Sequence, residues 1–146
     1  MSFTTQGEMH DMFKWNDSLK TGYEAVDMQH MELLDRLDKL VIAMREGKGK
    51  TEINTTVDFL AEYVVKHFND EEKIQLDNNY PKYNEQKAQH EEFKRKLAGF
   101  REKLNQEGAN IHLVVTVERE MAAWVRNHIM TLDKDLGQFL TSVSKH

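Results

Sequence analysis

The segment INTTVDFLAEYVVKHFNDEEKI (residues 53–74) has an apolar, imidazole or carboxylate side chain at every third or fourth position. The residues of this repeat are Ile53, Val57, Leu60, Val64, His67, Glu71 and Ile74. Alternating spacings of three and four place all of them on one face of an α-helix and indicate that this face is buried. Because His67 and Glu71 continue the apolar repeat, we expect this helix to carry both side chains into the protein interior.

Three other segments show the same repeat, and each has a histidine at a position where an apolar residue is expected. The polar members are His30 within 23–44, Gln86 and His90 within 83–104, and His128 within 114–128. Four long amphipathic helices with short connections are typical of an up-down-up-down bundle. The sequence therefore predicts an all-α, four-helix bundle.

The length of 146 residues is that of a single domain with a substantial core. We expect an N-terminal arm over residues 1–22 and the bundle over about residues 23–133. A short amphipathic helix over residues 134–146 is expected to cover one end of the bundle. The whole chain, 1–146, is interpreted as one domain.

Composition excludes several classes of protein. The net charge is -5 and the basic residues do not cluster, which argues against binding nucleic acid. No apolar run approaches the roughly 20 residues needed to span a membrane, and Met1–Phe13 does not resemble a secretion signal. The absence of cysteine excludes thiolate metal sites and disulfides, and leaves the cytoplasm as the default location.

Polar side chains in an apolar repeat need partners, because burying them without partners costs free energy. A shared metal would provide one for all of them, and imidazole with carboxylate suits iron, zinc, copper or manganese rather than calcium. The candidate ligands are His30, His67, Glu71, Gln86, His90, His128 and Asp133. Seven candidates are too many for one ion, so two metals bridged by Glu71 and Asp133 are expected. His10, His112 and His146 fall outside the repeats and are interpreted as surface groups.

The spacing of the candidates supports this site at all but one position. His67 and Glu71 are four residues apart, which separates their directions by only about 40° on a helix. His128 and Asp133 are five apart, which corresponds to about 140° on a regular helix. Asp133 can reach the same metal only if its helix is distorted or ends near Leu132.

These residues and their spacing resemble the hemerythrin family, in its bacterial form, from Trp15 to Asp133. The matching motifs are Trp15-x2-Ser18-x3-Gly22-x4-Asp27-x-Gln29-His30, His67-x3-Glu71-Glu72, Tyr80-Pro81 and Trp124-x3-His128-Ile129-x3-Asp133. The ferritin-like class of di-iron bundles instead requires Glu-x-x-His. None of the seven histidines here has a glutamate three residues before it.

The resemblance implies a non-haem di-iron centre that binds dioxygen reversibly, or a related small ligand such as peroxide, azide or nitric oxide. One iron would be held by His30 and His67 and would keep an open position. The other would be held from the third and fourth helices, with Glu71, Asp133 and an oxo or hydroxo group bridging the two irons. Apolar residues expected to line the oxygen pocket are Phe68, Trp124 and Ile129.

Gln86 departs from the family pattern, which has His-x3-His on the third helix. Three roles remain open for Gln86: its amide oxygen binds iron, it hydrogen-bonds a water or hydroxide at the vacated position, or it is structural. With Gln86, each iron would have two histidines, which favours an alternative function in oxidase or peroxide-consuming chemistry. A third possibility is a regulatory module in which the metal is structural or redox-sensing.

Overall fold

The computed structural model describes residues 14–144, so the predictions for Met1–Phe13, His10 and His146 lie outside the described residues. Three long α-helices are followed by a fourth, composite helix. They are α1 (Glu24–Arg45), α2 (Lys50–Asp77), α3 (Tyr83–Glu107) and α4, which begins at Ile111 and ends at Ser144. The all-α four-helix bundle predicted from the repeats is confirmed. No helix within the described range is long and apolar enough to cross a membrane.

Helix α4 contains two π-helical turns. Its segments are Ile111–Thr116, the π-turn Val117–Met121, Ala122–His128, the π-turn Ile129–Asp133 and Lys134–Ser144. In each π-turn a backbone N–H bonds five residues back, from Ala122 to Val117 and from Lys134 to Ile129. The backbone stays helical through both turns, so the predicted C-terminal helix is a continuation of the fourth helix.

The predicted apolar repeats form the core. Leu37, Leu60, Phe93 and Val117, one from each helix, are completely buried. Short connections between successive helices make these helices antiparallel neighbours. Gly47 and Gly108 follow α1 and α3 with positive φ of 68° and 78°, a conformation that favours glycine.

The N-terminal arm packs against the far end of α4. A 3-10 turn at Asp17–Leu19 precedes Thr21, whose backbone N–H and hydroxyl both donate to Asp27 Oδ1, at 2.8 and 2.7 Å. A Cβ atom added to Gly137 in α4 would lie 2.1 Å from the carbonyl oxygen of Thr21. The absence of a side chain at Gly137 therefore allows the arm and α4 to approach closely.

Replacing Gly137 by alanine is expected to lower the free energy of unfolding by about 1–3 kcal/mol, because the clash is with backbone and one element must move. Gly99→Ala is the matched control, since Gly99 lies in α3 with no atom near an added Cβ. That variant is expected to gain up to about 1 kcal/mol from helix propensity. Urea unfolding of both variants measures the difference, and equal stabilities would show that the arm adapts without cost.

Candidate metal centre

Seven of the polar side chains that lie buried in the bundle form one cluster, and each of the seven is no more than 3% exposed. They are His30 from α1, His67 and Glu71 from α2, Gln86 and His90 from α3, and His128 and Asp133 from α4. These are the candidate ligands predicted from the sequence, and the fold brings all of them together. His112, which was expected at the surface, is exposed.

One half of the cluster is formed by α1 and α2 with Asp133. His30 Nε2 lies 2.9 Å from Asp133 Oδ2 and 3.5 Å from Glu71 Oε2. His67 Nε2 lies 3.3 Å from the same Glu71 oxygen. We call this group the first half-site; it offers two imidazole nitrogens and one oxygen from each carboxylate.

The second half-site is formed by α3 and α4 with Glu71. His90 Nε2 lies 3.3 Å from Glu71 Oε1, and His128 Nε2 lies 3.9 Å from that oxygen. His128 Nε2 is also 3.4 Å from Asp133 Oδ1. Gln86 Nε2 donates a hydrogen bond to Asp133 Oδ1 over 2.9 Å. This half-site also has two imidazoles and two carboxylate oxygens.

The two half-sites share Glu71 and Asp133, and each carboxylate turns one oxygen to each side. Ligand atoms of His30, His67 and Glu71 form one group that could hold a metal ion, and those of Glu71, His90 and His128 form another. Such sharing is the arrangement that bridges two cations.

The second π-turn explains how Asp133 joins the cluster. On a regular helix Asp133 would point about 140° away from His128. The turn at Ile129–Asp133 makes hydrogen bonds to the fifth residue, so it winds wider and rotates less per residue. His128 and Asp133 consequently lie on the same side, within 3.4 Å of each other. The sequence required this helix either to be distorted or to end near Leu132. The structure shows a distorted helix that continues past Leu132.

Several nitrogen and oxygen atoms of the cluster that could bind a metal lack hydrogen-bond partners within residues 14–144. They are Nε2 of His30, His90 and His128, both oxygens of Glu71, and Oδ2 of Asp133. His30 Nε2 approaches Asp133 Oδ2 to 2.9 Å without hydrogen-bond geometry. Burying such atoms without partners costs free energy, and a cation shared among them would provide a partner for all of them.

The opposite ring nitrogens of three histidines are held in place by neighbouring side chains. The pairs are His67 Nδ1 with Gln29 Oε1 at 2.7 Å, His90 Nδ1 with Glu72 Oε2 at 2.8 Å, and His128 Nδ1 with Gln89 Oε1 at 2.6 Å. An acceptor at Nδ1 places the proton there and leaves Nε2 free to bind metal. We did not predict these roles from the sequence. The sequence feature that could have identified these partners is that each one is adjacent to a candidate ligand on the neighbouring helix.

Burial and the neighbouring carboxylates shift the pKa values of the histidines in opposite directions. Burial lowers the pKa of His30 and His128, but Asp133 and Glu71 outweigh it and raise these pKa values to about 9 and about 10. Burial dominates at His67 and lowers its pKa to about 4. Burial raises the pKa of Glu71, yet the surrounding histidines hold it well below its usual value. Without metal, two imidazolium ions therefore balance the two carboxylates at neutral pH.

Aromatic rings cover the second half-site. Phe68 stacks on His90 with ring centroids 4.0 Å apart, and Trp124 stacks on His128 at 4.8 Å. Phe68 and Ile129 are buried and Trp124 is half-buried. Phe68 also contacts the His67 ring, at 5.5 Å. The proposed role of these three residues in an oxygen pocket stays a prediction.

A four-helix bundle with two histidine-carboxylate half-sites in its interior defines a class, that of candidate dinuclear metal-binding proteins. The family model for the hemerythrin HHE cation binding domain matches residues 21–140. The chain therefore belongs to the hemerythrin family, as its motifs indicated.

Individual relatives agree with this assignment. A bacteriohemerythrin of Methylococcus capsulatus is 30% identical over 116 residues, which are 80% of this chain and 86% of the relative. A myohemerythrin of Sipunculus nudus is 27% identical over 123 residues, 84% of this chain and 89% of the relative. A crystal structure of wild-type hemerythrin superimposes with a TM-score of 0.77 at 28% identity, covering 87% of this chain and 96% of that one.

Proposed function

We propose that this chain holds two iron ions and binds dioxygen reversibly. The observation that carries the proposal is the pair of buried half-sites, each with two imidazole nitrogens and two carboxylate oxygens, that share Glu71 and Asp133. The donor set is one that iron accepts. Relatives named bacteriohemerythrin and myohemerythrin support iron as the metal and dioxygen as the ligand.

His30 and His67 would hold one iron, and His90 and His128 the other. Two iron(II) ions, when bound, supply the electrons that dioxygen takes up on binding and returns on release. Gln29, Glu72 and Gln89 orient the imidazoles through their Nδ1 atoms, so Nε2 of each faces the metal positions.

Water must be kept from a centre that releases dioxygen unchanged. Phe68 and Trp124 lie flat against two of the imidazoles, and Ile129 is completely buried in the adjoining core. The indole N–H of Trp124 is the single group of these three side chains that can form a hydrogen bond with water. We propose that they limit entry of water and protons while a small diatomic ligand passes.

The test is to load the protein with iron, reduce it, and pass it repeatedly between oxygen-saturated and oxygen-free buffer. We expect an absorption change that appears with about one dioxygen per two irons and reverses over several cycles. Elemental analysis of the same sample gives the iron content. A folded chain that takes up no iron would remove the basis of the proposal.

Oxidase or peroxide-consuming chemistry is a second candidate, and the hydrogen bond from Gln86 to Asp133 favours it. Gln86 takes the place of a third histidine, so each half-site has two imidazoles. Neither half-site therefore has a third nitrogen ligand. Continuous consumption of reductant and oxygen in the cycling experiment would support this candidate over reversible binding.

A further inference from the structure

We propose that Gln86 and Gln75 form a second ligand position in the metal centre, on the side of His90 and His128. The position would hold water or hydroxide, which a small external anion can replace. This inference rests on the proposed di-iron centre and concerns what the Gln86 amide does there.

The hydrogen bond to Asp133 fixes the orientation of the Gln86 amide. An ionised carboxylate only accepts hydrogen bonds, so the NH2 group of Gln86 must face Asp133 Oδ1, which lies 2.9 Å from Nε2. The oxygen Oε1 of Gln86 is buried and has no hydrogen-bond partner in the described part of the chain. Gln86 therefore gives its donor to a bridging carboxylate and keeps an unused acceptor.

Gln75 lies at the same level of the bundle. It follows Glu71 by one helical turn in α2, just as Gln86 precedes His90 by one turn in α3. Glu71 contacts His90 across these antiparallel helices. One turn towards the C-terminus of α2 and one turn towards the N-terminus of α3 lead in the same direction along the bundle, which places Gln75 opposite Gln86. Gln75 is completely buried, and neither its amide oxygen nor its amide nitrogen has a hydrogen-bond partner within residues 14–144.

A buried amide oxygen without a partner at Gln86, next to a buried amide with no partner at all at Gln75, is unusual in a folded protein, and an ordered ligand between them would satisfy both residues. An ordered water inside a protein needs two to four polar partners, and Gln75, Gln86 and the metal of the second half-site would supply them. Because Gln86 Oε1 accepts a hydrogen bond, the ligand must carry a proton. Water or hydroxide meets this requirement.

Azide is a suitable probe, because it is a small anion that can replace water at a metal. The iron-loaded, oxidised protein is titrated with azide, and the number of anions bound per chain is measured from the absorption change and by calorimetry. We expect two azide ions per chain, the second weaker than the first, because azide can accept from Gln75 but cannot donate to Gln86 Oε1.

Gln86→His is expected to bind one azide per chain, since an imidazole would occupy the second position. Gln106→His is the matched control, because Gln106 is exposed near the end of the same helix and that variant should still bind two. Gln75→Leu keeps the position but removes a donor, and should weaken binding of the second azide about tenfold without changing the first.

The iron content of each sample separates the possible failures. A wild-type chain with two irons that binds only one azide overturns this inference and leaves the proposed centre intact. Two azide ions on Gln86→His would likewise overturn it. A chain with fewer than two irons overturns both the centre and the second ligand position.

Discussion

Replacing Glu71 by glutamine is expected to reduce the metal content from about two ions per chain to less than one. Glu71 supplies one oxygen to each half-site, so both metal positions lose a ligand in a single substitution. It also carries half of the negative charge of the bridging pair Glu71 and Asp133. Glutamine has almost the same shape, so the bundle should remain folded while the charge that attracts the cations falls.

Elemental analysis of the dialysed variant, with circular dichroism to confirm folding, measures this effect. Glu62→Gln is the control, because Glu62 lies on the exposed face of the same helix and its loss should leave two ions per chain. A folded Glu71→Gln variant with full metal content would show that the cluster does not bind metal through this carboxylate.

Removing the metal is expected to lower the thermal midpoint by about 10 °C or more while most of the helix content remains. At a thousandfold excess over its dissociation constant, a ligand of the folded state adds about 4 kcal/mol, and each kcal/mol corresponds to roughly 2–4 °C in a chain of this size. The four apolar repeats persist without metal, so circular dichroism should still report helices. Equal midpoints of the metal-free and loaded forms would contradict a buried shared centre.

The metal-free form should also have a distinctive pH dependence. The pKa values of His30 and His128 rise on folding from 6.5 to about 9 and about 10, so the folded state binds more protons and its stability falls as pH rises above 6.5. The limiting slope for two protons is about 3 kcal/mol per pH unit. The pKa of His67 falls to about 4, so stability also decreases as pH drops from 6.5 towards 4.

We therefore expect the metal-free protein to be most stable near pH 6.5. Urea unfolding at pH 5, 6.5, 8 and 9 measures the curve. In the loaded form the cations have replaced the two protons, so its stability should change little between pH 6.5 and 9. A metal-free protein with constant stability over that interval would mean that His30 and His128 are not held as imidazolium ions.

The sequence alone was sufficient to predict the bundle and the polar residues that cluster in its interior. A repeat of three and four residues specifies which side of a helix is buried, and polar residues that keep the repeat must share that side. His30, His67, Glu71 and His90 were therefore predictable from spacing, and the motifs shared with the hemerythrin family indicated the metal.

Other features depended on contacts between helices, which spacing within one helix does not specify. The π-turn at Ile129–Asp133 brings Asp133 back towards His128, whereas a regular helix would point it away. The orientation of the Gln86 amide follows from its contact with Asp133, 47 residues further along the chain.

The same reason applies to the side chains that hold the histidines. Gln29 and Gln89 each adjoin a candidate ligand in sequence, but each bonds a histidine on a different helix. Local periodicity assigns a residue to a face, whereas its partner across the bundle depends on how the helices are aligned and rotated. The sequence determined which groups enter the interior, and the family resemblance implied how they divide around two shared carboxylates; only the tertiary structure decided which side chains hold the histidines and how a π-turn brings Asp133 to them.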